Sequence, residues 1–89
     1  MTEAEFRAQA IAKGFTDFQF KHYATDTDGP LHMHNFAVTL LVTAGEFALQ
    51  FEDRKAIYQT GECCNLPANV RHAERTGSTG AEVIIAKKE

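Results

Sequence analysis

Gly29-Pro-Leu-His-Met-His-Asn-Phe-Ala-Val-Thr-Leu-Leu-Val-Thr-Ala-Gly45 runs from a Gly-Pro loop, through two histidines two positions apart, into an apolar strand that Gly45 interrupts. Further on, Gly61-Glu-Cys-Cys-Asn-Leu-Pro-Ala-Asn-Val-Arg-His72 reads as strand, tight turn, strand. Around these two stretches, short apolar runs recur at residues 31–36, 37–43, 46–51, 56–59, 63–66, 73–76 and 81–86. Gly45, Asp53, Gly61, Pro67 and Gly77-Ser-Thr-Gly80 punctuate them. So many short runs with no helical stretch between them predict an all-β sandwich or barrel.

Working outward toward the N-terminus, Ala24 to Pro30 concentrates Thr, Asp, Gly and Pro and is a loop. Before it, Phe18, Phe20 and His22 alternate with Gln19, Lys21 and Tyr23, which predicts a strand with the first set on its apolar face and His22 as a packed core residue. Thr2 and Glu5 fit a capping box, with Phe6, Ala10 and Ile11 at helical spacing before Gly14. A helix over residues 3–13, covering an open end of the barrel, is expected. The domain division is therefore a helical segment, 1–14, on a single barrel, 15–89.

With 89 residues there is room for one core. A domain this short buries only about 60% of its unfolded surface, so metal binding or self-association, a homodimer, is expected to add stability. Charged residues make up 24% and the net charge is -3, with Lys and Arg scattered from Arg7 to Lys88, so nucleic acid is not an expected partner. A mean hydropathy of -0.30 gives no membrane span. Acids in the opening residues and no apolar run behind them point to the cytoplasm. Cys63 and Cys64 are neighbours, so on a strand they face opposite ways and read as reduced thiols.

On a strand, His32 and His34 would project from one face with α-carbons roughly 6.6 Å apart, a spacing suited to two ligands of one ion. His72 is the candidate third ligand for one divalent transition metal, Fe, Mn, Ni, Cu or Zn. Over residues 29–76 the chain resembles the cupin superfamily, and in particular its shortest single-domain bacterial members. His32, His34 and Gly45 occupy places of the first cupin motif, whose glutamate place falls at Val38. Gly61, Pro67 and His72 match the second, with Asn69 at its second glycine and Thr76 at its closing asparagine. Only fifteen residues separate Gly45 from Gly61. The resemblance implies a small double-stranded β-helix, or jelly-roll barrel, with a metal on His32, His34 and His72.

Strand alternation places Val38, Leu40 and Val42 inward with the histidines, and Glu74 and Thr76 beside His72. Glu74 either approaches the ion, acts as general base, or is a surface carboxylate bonded to a turn. Phe36, Phe47, Phe51 and Tyr58 either add aromatic surface to the cavity or fill the core, and Arg71 points to solvent. A mostly apolar cavity with few polar groups suits a small-molecule ligand. Two functions follow: a metal-dependent enzyme (dioxygenase, isomerase or lyase) on a small organic substrate, or a non-catalytic binding or sensing module, with or without metal.

Overall fold

The computed structural model describes residues 1–89. Helix α1 (Glu3–Ala12) precedes strands β1 (Thr16–Tyr23), β2 (Ala37–Gln50), β3 (Lys55–Gln59), β4 (Cys63–Leu66) and β5 (Ala73–Lys88). All the strands belong to one antiparallel sheet in the order β1-β5-β2-β3, with β4 paired to the first half of β2. Two long strands do the organising. β2 pairs with β5 from Ala37↔Lys88 to Gln50↔Ala73, while β4 and then β3 pair along its other edge.

The expected breaks at Gly45 and Gly77–Gly80 are not chain reversals. Both lie within continuous strands, at irregularities of the β2–β5 register. Thr43 is an extra residue between Val42↔Val83 and Ala44↔Glu82, and four residues of β5, 77–80, face the single Glu46 between Gly45↔Ala81 and Phe47↔Thr76. An odd number of added residues inverts side-chain parity, because strand side chains alternate with period two. Leu40 and Val42 therefore share one core with Phe47 and Leu49, and Ala81 and Val83 join them. Gly45 and Gly80 let the two backbones approach closely at this irregularity. Each has positive φ, +75° and +64°, and a Cβ on Gly45 would lie 2.2 Å from the Gly80 carbonyl oxygen.

The N-terminal helix forms with its capping box, Glu5 N–H donating to Thr2 Oγ1 and Thr2 N–H to Glu5 Oε1. It does not cover a barrel end. Phe6 packs with Leu41 and Ile84, the residues of β2 and β5 that alternate away from the inner core, and meets Phe18 edge to face at 6.3 Å. Ile11, expected in that contact, is exposed.

The faces of β1 are opposite to expectation. Lys21 and Tyr23 turn toward the cavity, with Tyr23 against Phe47 at 5.0 Å, whereas Phe20 is 68% exposed. His22 is not a core residue; it is exposed beside Glu82, 3.7 Å away. Counting phenylalanines misjudged the strand because the outer face is itself partly covered: Phe18 lies under α1, and Arg7 sits over Phe18 and Phe20. Cys64 joins the inner core and Cys63 packs with the outer cluster, both as free thiols, so these neighbours do face opposite ways.

Candidate metal centre

Residues 31–36 form no strand; only His32 makes a bridge, opposite His72. That bridge has both hydrogen bonds, His32 N–H to the His72 carbonyl and the reverse, each 2.9 Å. Residues so paired stand directly opposite with side chains on one face, which brings a loop histidine onto the one leading into β5. His34 is fixed separately, its carbonyl accepting from Asn69 N–H at 2.7 Å. Asn69 adopts the left-handed conformation, φ +63°, as its place in the Pro67–Asn69 turn requires.

The three rings meet, with centroids 4.5 Å (His32–His72), 4.8 Å (His34–His72) and 5.2 Å (His32–His34) apart. One potential ligand atom from each lies within 4.8 Å of the others. Nδ1 of His32 is 2.9 Å from the Pro30 carbonyl and Nδ1 of His72 is 2.8 Å from that of Val70. A carbonyl only accepts, so each Nδ1 carries a proton, and in the neutral imidazole that a metal binds the lone pair lies on Nε2. Neither Nε2 makes a hydrogen bond. Such orientation of imidazoles from behind is what a metal centre needs, and three neutral nitrogens are a donor set for a divalent transition metal. The residues present therefore fit the ion that the sequence predicts.

At His34 the surroundings favour the neutral ring. His34, stacked on Phe36 at 4.6 Å, is held below the ordinary histidine range, by burial first and then by His72 and His32. Glu74 Oε1 lies 3.4 Å from His32 Nε2 and 4.0 Å from His72 Nε2, its side chain only 18% exposed. Of the readings open for Glu74, the inward one matches its position. Thr76 does not stand with it: its hydroxyl donates to the Ala24 carbonyl and accepts from Thr27 N–H, tying down the 24–27 loop.

A cavity of about 240 Å³ opens beside the cluster. His34, His72 and Glu74 reach it, and Val38, Leu40, Leu49, Leu66 and Ile85 supply apolar wall. Val38, at the place expected for a carboxylate, is buried in that wall. Phe36 and Phe47 also line the cavity, whereas Phe51 and Tyr58 pack against the core. Arg71 points away, 3.7 Å from Glu52. The sequence reading missed Lys21, Tyr23, Leu49, Leu66, Ile85 and Lys87. For Lys21 and Tyr23 the signal was present in the alternation of β1, read with the wrong face inward. Tyr23 remains a protonated phenol, its pKa pushed up to about 12 by burial and then by Glu74 and Cys64.

No family model and no curated protein matches the chain. Solved structures do. A cupin-2 domain protein of Shewanella frigidimarina is 23% identical with a TM-score of 0.64, over 83% of this chain and 72% of its own. A cupin superfamily protein of Desulfitobacterium hafniense is 17% identical with a TM-score of 0.71, over 80% of this chain and 64% of its own. The DMSP lyase DddQ of Ruegeria pomeroyi is 18% identical with a TM-score of 0.73; the match covers 81% of this chain and 37% of the lyase. Identities this low establish the fold and leave activity to the site. The chain has the fold of the small cupins, and three of its histidines cluster closely enough to hold one metal ion.

Proposed function

We propose that the protein is a metal-dependent enzyme that holds one divalent transition-metal ion on His32, His34 and His72 and acts on a small organic molecule in the adjoining cavity. The observation that carries this reading is the pair of Nδ1–carbonyl hydrogen bonds, which leave the Nε2 lone pairs of His32 and His72 free beside His34. Among dioxygenase, isomerase and lyase chemistry, a lyase or isomerase fits best, because Glu74 is a partly shielded carboxylate at the cavity wall next to the histidines. When bound, such an ion would polarise an oxygen-bearing group of the substrate as a Lewis acid. Glu74 would take a proton from a substrate carbon onto its carboxylate, then return it to another carbon in an isomerisation, or, in a lyase elimination, pass it to the group that departs with the electron pair of its bond as the new double bond forms. Free thiols on both faces of β4 support a reducing compartment, the cytoplasm, as its working place.

Elemental analysis of untagged protein after gel filtration tests the reading. About one transition metal per chain in wild type, lost in His72→Ala, is the expected result. Protein that arrives metal-free and takes up none of Fe, Mn, Ni, Cu or Zn would sink it, leaving the apolar cavity as a binding module. Metal-dependent turnover then separates enzyme from sensor, since a sensor only gains thermal stability with its ligand.

A further inference from the structure

Two cations in the cavity wall have no part in the chemistry above. Lys21 Nζ lies 5.5 Å from the ring centroid of Tyr23, and Lys87 Nζ lies 5.0 Å from that of Phe36. Both rings line the cavity, as do both lysines. The ammonium groups are thus held against its aromatic surface. Neither is neutralised by a close partner: Lys21 makes no ion pair, and Lys87 has only an exposed contact with Asp17, 3.9 Å. Lys87 also stands directly opposite Val38 across the β2–β5 pair. Directly opposed side chains share a face, so a carboxylate at position 38 would sit beside Lys87, and valine leaves that cation with only its exposed contact to Asp17.

The only acid in the wall is Glu74, which is beside the histidines. Two cations against one carboxylate, on an otherwise apolar surface, select an anion with an apolar body. The cavity volume of about 240 Å³ equals the share of roughly eight liquid waters. The geometry points to a small organic carboxylate of about eight to ten non-hydrogen atoms as the ligand, met by Lys21 and Lys87 and laid along Val38, Leu40, Leu49 and Ile85. This rests on the cavity being the ligand site and names the substrate class. Charge-assisted hydrogen bonds from the lysines distinguish the acid from its neutral isostere.

Chelator-treated, metal-free protein is titrated with 4-methylpentanoate and with 4-methylpentanamide, following backbone amides by NMR. The carboxylate is expected to bind at least fivefold more tightly. Lys21→Met and Lys87→Met should each weaken carboxylate binding severalfold, and the double variant should lose the preference for acid over amide, while Lys55→Met on exposed β3 changes nothing. Equal binding of acid and amide to wild type, which requires no variant to fold, would overturn the inference, as would a preference that survives in the folded double variant. Because no metal is present, the two readings fail separately. Carboxylate preference without metal uptake removes the metal centre alone; metal uptake without carboxylate preference removes this inference alone.

Discussion

Two backbone carbonyls decide which ring nitrogens are free for a metal. Pro30 and Val70 hold Nδ1 of His32 and His72, so removing either ring removes a donor already set in place. Glu74 is different in kind, since its oxygen faces two Nε2 atoms without being fixed by a hydrogen bond. Glu74→Gln is expected to keep the metal and to lower turnover by about 10²–10⁴-fold, the usual contribution of a general base; equal loss of metal would make it a ligand instead. The thiols give a second test at this scale. Burial is the main cause that pushes Cys64 up to about 12, and it raises Cys63 as well. Only the thiolate is nucleophilic, so raised values mean slow reaction at pH 8. Alkylation of the native protein should leave Cys64 unmodified until denaturant is added, and rapid labelling of both thiols would contradict the packing described.

At the scale of elements, the register irregularities of the β2–β5 pair are what let both halves of β2 turn side chains into one core. Gly45→Ala would force a methyl against the Gly80 carbonyl in left-handed backbone, a combination expected to cost about 3 kcal/mol or more. Urea unfolding measures it; a cost below about 0.5 kcal/mol would show that this close approach relaxes freely. The helix buries Phe6 and Ala10, and Phe6 is much the larger. Phe6 is 2% exposed between Leu41 and Ile84, so Phe6→Ala should destabilise by about 3–5 kcal/mol, whereas Ile11→Ala, on the exposed face, should change stability little.

For the whole molecule, a core this small makes bound ligands count. Metal at 100 times its Kd adds about 2.7 kcal/mol, which in a chain of this length raises Tm by about 10 °C or more. Thermal unfolding with and without added metal should show that rise in wild type and not in His72→Ala. Self-association is the other source of stability. Phe20 at 68% and Ile11 at 63% exposure are large apolar side chains left on the outer surface, and we expect a homodimer. Sedimentation showing only monomer at micromolar concentration would refute it.

The sequence by itself determined what local chemistry controls: the capped helix, the all-β rhythm, the opposed cysteines, the left-handed turn at Asn69 and the three histidines as one set. Each depends on neighbours a few residues away or on motif spacing. Tertiary structure alone decided which face of β1 looks inward, because that depends on what α1 covers and what Phe47 packs against. It also decided that Gly45 and Gly77–Gly80 are irregularities of long strands and not turns, since a glycine permits either and only the pairing partner selects. The lysines of the cavity wall were hidden for the same reason: alternation puts Lys21 and Tyr23 on one face, but only the folded sheet says that this face lines the cavity.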